Sequence, residues 1–162
     1  MSAEQNKAVV RQFITRVFEN MDASAVDELV TQDFMMHSVP NAQPGTQTLK
    51  DAQQRVKAGL SEVHFRIDDL VAEGDKVAAR VTVHARQTGE FMGLKPSNKE
   101  YSAPEMHLFR LHDGRIREHW AVVDFGSIMK QLGASSPPPA KVTGPRQKAE
   151  RRRKDRRVTA DR

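Results

Sequence analysis

Residues 63–84, VHFRIDDLVAEGDKVAARVTVH, mark the place where the hydrophobic period of the chain changes, and that change decides the fold class. Upstream the apolar residues recur at helical spacing; from Val63 onward they alternate. Val63, Phe65 and Ile67 share one face of an extended strand. The pair Asp68-Asp69 then shifts the phase, which predicts a bulge or bend. Gly74-Asp75 is a two-residue hairpin signal. After it, Val77, Ala79, Val81 and Val83 alternate with Ala78, Arg80, Thr82 and His84, so the next strand has one apolar and one mixed face.

Working outward from that hairpin, a Gly/Pro-rich loop runs from Gly89 to Lys99. Two more strands, Tyr101–Leu111 and Arg115–Val123, meet at Asp113-Gly114, another hairpin signal. A short helix, Phe125–Leu132, ends at Gly133, where glycine suits a helix C-terminus. On the N-terminal side, Val10, Phe13, Val17 and Phe18 predict a first helix, with Ser2-x-x-Gln5 as its capping box. Asp22 or Ser24 caps a second helix burying Val26, Leu29 and Val30. Thr46 caps a third carrying Leu49, Ala52, Val56 and Leu60. Between the last two, Phe34-Met35-Met36-His37 reads as a short extended piece. Helices first and antiparallel strands after make an α+β domain, its helices covering one face of a curved sheet.

The chain has 162 residues and no cysteine. That length suits one domain with a core large enough to fold without staples. The absence of cysteine excludes a disulfide framework, a thiolate metal site and a cysteine nucleophile. No apolar run approaches the ~20 residues of a membrane span. The N-terminus, MSAEQNKAVV, has no basic stretch followed by an apolar one, so no secretory signal is expected and the reading is a soluble, cytoplasmic protein.

The formal net charge of +5 is unevenly spread. Residues 137–162 hold ten Lys or Arg and three Asp or Glu, a balance of +7; residues 1–136 carry −2. The boundary falls near Gly133. The domain is expected over 1–134, and 135–162 as a tail that is Pro-rich (Pro137-Pro138-Pro139) and then basic. RQKAERRRKDRR has too few apolar residues to offset its chain entropy, so disorder is expected there. The cluster has no aromatic to stack on bases, which limits it to non-specific contact with nucleic acid.

Five segments in order carry a family resemblance. They are Asp33-Phe34-Met35-Met36-His37 with Gly45 downstream; Ile67 to Arg80, IDDLVAEGDKVAAR; Thr88 to Ser97, TGEFMGLKPS; Asp113 to Asp124, DGRIREHWAVVD; and Gln131-Leu132-Gly133. Together they make the chain similar to SnoaL-like polyketide cyclases, also called ester cyclases. That family belongs to the cone-shaped superfamily of nuclear transport factor 2, ketosteroid isomerase and limonene epoxide hydrolase. The resemblance covers about residues 5–134. It implies a conical α+β barrel with a deep apolar pocket, usually a homodimer, without metal or organic cofactor. It also implies ring closure of an aromatic polyketide by intramolecular aldol condensation, with a carboxylate as acid/base that would carry over onto Asp124. Where the family often has a histidine before the Phe-x-Gly loop, this chain has Gln87.

Each candidate residue has a plainer reading beside it. Counting by twos, Ile116, Glu118, Trp120, Val122 and Asp124 share a strand face, so Asp124 would be a desolvated base in a pocket. Asp124 also directly precedes a helix and can be its N-cap. His107, with Glu105 and Phe109 on its face, is either an acid/base partner or a half-buried structural histidine. His37 lies at the pocket mouth or in a solvated loop. Arg80 and Glu118 form a buried pair across the sheet, or Arg80 binds an oxyanion. Epoxide-hydrolase relatives carry Arg-x-Asp on one strand, whereas this chain reads Arg80-Val81-Thr82. Trp120, Gln87 and Glu118 are candidate substrate contacts. The six histidines include no His-x-His or His-Glu-x-x-His, so no metal site is expected. The first functional expectation is a cofactor-free cyclase-type enzyme on an apolar, carbonyl-bearing small molecule. The alternative is a non-catalytic binding module. A buried Asp124 favours the enzyme, and a solvent-facing Asp124 that caps the helix favours the module.

Overall fold

A computed structural model describes residues 2–134; the predicted Pro-rich and basic tail lies outside the described residues. Ser2 opens α1 (Ala3–Phe13) with the expected capping box: its hydroxyl accepts from the Gln5 N–H, and the Gln5 side chain accepts from the Ser2 N–H. The first helix then departs from expectation. Over Ile14–Glu19 it widens into a π-helical turn, and the Asn20 N–H reaches the Thr15 carbonyl at 2.9 Å. Asp22 caps α2 (Ala23–Leu29) by accepting from the Ser24 and Ala25 N–H groups. Val30 is not the end of that helix. Its backbone is extended, and it opens β1 (Val30–Met36). Thr46 precedes α3 (Gln47–Gly59) with a helical backbone already, so its hydroxyl makes no capping bond. Leu60 likewise belongs to a strand rather than to α3.

The remaining strands are β2 (Leu60–Glu73), β3 (Lys76–Gln87), β4 (Glu100–His112) and β5 (Arg115–Val123). They form one curved sheet in the order β1-β5-β4-β3-β2. β2 to β5 run antiparallel, while β1 adds to the β5 edge in parallel. The helices bury Val10, Phe13, Val17 and Val26 against Val77, Ala79, Val81 and Phe109 of the inner face. Full burial of each of the larger side chains is worth ~1.5–3 kcal/mol. The Phe13 and Phe109 rings meet edge to face at 5.5 Å. Among the described residues no helix is long and apolar enough to cross a membrane.

Of the register irregularities in the sheet, two bear most on which side chains point inward near the site. One lies between Ile67 and Asp69, as the Asp68-Asp69 pair predicts. The other is unforeseen. Arg110 pairs with Glu118, but Leu111 pairs with Ile116, so Arg117 is an extra residue in β5. One extra residue reverses the alternation. Beyond it His119 and Ala121, not Trp120 and Val122, lie on the inner face, opposite Phe109 and His107. The expected common face of Ile116, Glu118, Trp120, Val122 and Asp124 does not exist.

The chain closes with α4 (Phe125–Leu132). Asp124 Oδ1 accepts from the Ser127 N–H at 2.9 Å, and Gly133 ends the helix at φ +95°. The Gln131 amide bonds both the N–H and the carbonyl of Ser102, docking α4 beside β4. At the other end of the sheet, Thr88 and Gly89 both donate to the Gly59 carbonyl. The backbones come so close that a Cβ on Gly89 would sit 2.0 Å from the Ala58 oxygen.

Candidate acid–base site

The inward positions of β4 include Glu105, His107 and Phe109; those of β5 beyond the bulge are His119, Ala121 and Val123. Ala121, directly opposite His107, offers only a methyl group, and His107 contacts the diagonal residue instead. His107 Nδ1 lies 2.9 Å from His119 Nε2, and His107 Nε2 lies 3.0 Å from Glu105 Oε2. The three side chains therefore form one hydrogen-bonded row.

The donors in that row follow from chemistry. An ionised carboxylate only accepts, so His107 Nε2 carries the proton given to Glu105. A neutral His107 then has an acceptor at Nδ1, and His119 Nε2–H donates to it. His119 Nδ1 is left as a buried lone pair with no partner among the described residues. Burial holds the His119 pKa down at about 3, and the charge that His107 or His37 carries once protonated adds to the effect. His119 is thus a neutral imidazole whose Nε2–H fills the acceptor presented by the Glu105-bound tautomer of His107.

The surroundings are aromatic. Phe18 lies 5.5 Å from the His107 ring and 5.6 Å from the His119 ring, and Phe109 stacks 4.9 Å from His119. Met36 is the β1 neighbour of His119. Phe18, Phe65, Ile67, Met36 and Val123 are only partly buried, whereas Phe13, Phe34 and Phe109 are fully buried. The Glu105 side chain keeps 11% of its exposure against 4% for His107, so the carboxylate is the outer end of the row.

The other expected site residues lie elsewhere. Asp124 is exposed and serves as the N-cap of α4, one residue past the last inward position of β5. His37, Glu118 and Trp120 form a cluster that does not point into the core. His37 Nε2 is 2.7 Å from Glu118 Oε2, its ring stacks on Trp120 at 4.3 Å, and Arg110 bonds Glu118 and lies over the indole. Burial pushes the Glu118 carboxyl up, but bonds from His37 and Arg110 outweigh it and hold the group below the ordinary carboxylate range. The expected Arg80–Glu118 pair is not formed. Arg80 is half exposed and binds Asp69 and Asp68, its neighbours on β2. Gln87 is fully buried with its amide in use. Nε2 donates to the carbonyls of Gly89, Leu94 and Lys95, and Oε1 accepts from Ser97. It is the clamp of the 88–99 loop and has no group to offer a substrate.

Sequence reading missed His119 as a site residue and gave Glu105 no role. No local signal marks the bulge: Trp120 and Val122 continue the even spacing of Ile116, and only pairing with β4 shows the extra residue.

The model of the family described as SnoaL-like polyketide cyclase matches residues 8–132. The chain belongs to that family. Among relatives of this SnoaL-like chain, the nogalonic acid methyl ester cyclase of Streptomyces nogalater is 34% identical over 80 residues, 48% of this chain and 59% of that one. The match thus spans little more than half of that relative's length. The aklanonic acid methyl ester cyclase DauD of Streptomyces sp. (strain C5) is 26% identical over 135 residues, covering 78% of this chain and 83% of that one. The structure of TsrD from Streptomyces laurentii superposes with a TM-score of 0.76 at 25% identity, covering 83% of the SnoaL-like chain and 98% of its own.

Proposed function

We propose that this chain is a cofactor-independent cyclase-type enzyme that performs aldol chemistry on a mostly apolar, carbonyl-bearing small molecule. Glu105 is its acid/base, and His107 and His119 hold that carboxylate in position. The observation that carries the reading is the row itself: a slightly exposed carboxylate, bonded on one oxygen only, anchored to two buried histidines among aromatic side chains. The free oxygen of Glu105 takes an acidic α-proton. The C–H electron pair passes through the enolate into a new C–C bond with a second carbonyl of the same molecule. The resulting alkoxide takes the proton back from Glu105. The sequence is redox-neutral and returns the enzyme unchanged. Phe18, Phe65 and Ile67 favour an apolar substrate and hold its two carbonyl centres together.

The test is turnover of a polyketide methyl ester such as nogalonic acid methyl ester, followed by the appearance of the ring-closed product. Glu105→Gln keeps the shape and the bond from His107 but removes the proton acceptor. Its rate is expected to fall by roughly 100- to 10,000-fold with the fold intact. A Gln variant with undiminished turnover removes Glu105 from the mechanism.

The solvent-facing, helix-capping Asp124 favours a second reading, a non-catalytic binding module of the same fold. That reading predicts tight binding of such an ester with no product, and binding indifferent to Glu105→Gln.

In either reading the protein works in the cytoplasm as a homodimer that docks through the outer face of the sheet. Met106 (49% exposed) and its β5 partner Val122 (73% exposed) lie side by side there. The charges around them are already satisfied within the chain: Arg80 by Asp68 and Asp69, Arg66 by Asp68, Arg110 by Glu118. An apolar centre with a self-neutralised rim suits a second copy better than a strongly charged partner.

A further inference from the structure

We propose that Gln53 is a positioning residue for the acid–base row: its amide holds the π-helical turn Ile14–Glu19 so that Phe18 lies across the two imidazoles. The proposal rests on the reading of Glu105, His107 and His119 as one functional group.

A π-helical turn carries one residue more than an α-helical turn, which displaces every following side chain by about 100° around the axis. Without that extra residue, the ring of Phe18 would not point where it does. The widened turn also disturbs the carbonyl ladder. The Asp22 N–H bonds the Arg16 carbonyl, and the chain then leaves the helix through Met21 at φ +54°. The Val17 carbonyl is bonded by Gln53 Nε2 at 2.9 Å, in a buried contact between residues 36 apart in sequence. Gln53 is itself buried, on an α3 face it shares with Leu49 and Val56, so its amide has to find a partner. On the other side of Phe18, Glu19 Oε2 accepts from the Phe65 N–H at 2.9 Å and pairs with His64. Residues 17 and 19 are therefore both tied to other elements, and Phe18 is held between them.

Four rings surround Phe18. Its ring centroid lies 4.8 Å from Phe13, 5.5 Å from Phe65, 5.5 Å from His107 and 5.6 Å from His119. It is partly exposed, so it stands between the imidazoles and solvent. The charged and titratable groups around His119 are few. β4 supplies His107 and, one ring further, Glu105; the end of β1 supplies His37, which is bonded to Glu118. The helical turn supplies none that is free: Arg16 binds Asp22 and Glu28, and Glu19 is bound as described. Phe18 shares the cover of His119 with Phe109, His107 and Met36, and of the three rings it is the partly exposed one. A shielded His119 stays neutral, so no positive charge stands one ring away from the Glu105 carboxylate.

The experiment follows the imidazole ring signals of His107 and His119 by NMR as pH is lowered, on the full chain without substrate. In the parent protein burial is expected to hold the half-protonation of His119 down at about pH 3. In Gln53→Leu and in Phe18→Ala, the pH of its half-protonation is expected to rise by about one or more, as water reaches the ring. A merely structural Gln53 lowers the melting temperature and leaves the His119 titration where it was; that result overturns the proposal. If Gln53→Leu does not fold, Gln53→Asn decides, since it withdraws the amide from Val17 with little change in packing. An unchanged titration in a folded Gln53→Asn is again a refutation. The readout needs no turnover, so its outcome is independent of whether Glu105→Gln loses activity.

Discussion

His107 and His119 share a 2.9 Å hydrogen bond, and their remaining nitrogens differ in environment: that of His107 meets Glu105, that of His119 finds no hydrogen-bond partner among the described residues. The pair is therefore directional. A carboxylate at one end and an unpartnered lone pair at the other leave a single arrangement of protons in which no two donors face each other.

That arrangement makes stability depend on pH in a defined window. Above pH 6.5, the ordinary histidine value, His119 is neutral in both folded and unfolded chains, and its contribution is flat. Between 6.5 and about 3 the unfolded chain takes up a proton that the folded chain refuses, so stability falls as pH falls. The slope from this one group is at most ~1.4 kcal/mol per pH unit. Denaturant titrations between pH 6.5 and about 5.5, above the ordinary carboxylate range, measure it. His119→Phe is expected to flatten the curve there; an equally steep curve in that variant means another group is responsible.

Asp124 is expected to behave as a cap and nothing more. Asp124→Asn leaves both the melting temperature and any turnover near the parent values, because Asn caps as well as Asp. Asp124→Ala loses the bond to the Ser127 N–H and costs about 1 kcal/mol. A large loss of turnover in the Asn variant, with the fold intact, would restore Asp124 to the chemistry.

Gln87 is expected to be a stability residue. Gln87→Leu leaves the carbonyls of Gly89, Leu94 and Lys95 and the Ser97 hydroxyl without their shared partner, at a cost of about 2–3 kcal/mol. Limited proteolysis should then cut within 88–99 faster than in the parent. A variant as stable and as resistant as the parent contradicts the clamp.

The outer face is tested by charge. Val122→Glu places an unpaired carboxylate in the centre of the proposed interface and should convert a dimer to a monomer in sedimentation experiments, with little loss of monomer stability because Val122 is exposed. Dimers that persist in this variant would place the contact elsewhere on the protein.

Much of the architecture is written locally in the chain. The hairpins at Gly74-Asp75 and Asp113-Gly114, the Ser2 and Asp22 caps and the Gly133 stop depend on residues within a few positions of one another, and each forms where the sequence predicts it; the change of period read at Val63 comes slightly earlier, at Leu60. The Asp68-Asp69 bulge is legible for the same reason. What the tertiary structure decided is everything that depends on a partner far along the chain. The bulge at Arg117 arises from pairing with β4, and it alone brings His119 inward and turns Trp120 out. The π-helical turn is held by Gln53 and by the Phe65 N–H, 36 and 46 residues from the atoms they bond. Gln87 is a clamp because a loop folds back over it, and Arg80 pairs with Asp68 and Asp69 because β2 lies beside β3. Alternation along one strand reports the face of a side chain only until an extra residue intervenes, and whether one intervenes is settled by the neighbouring strand.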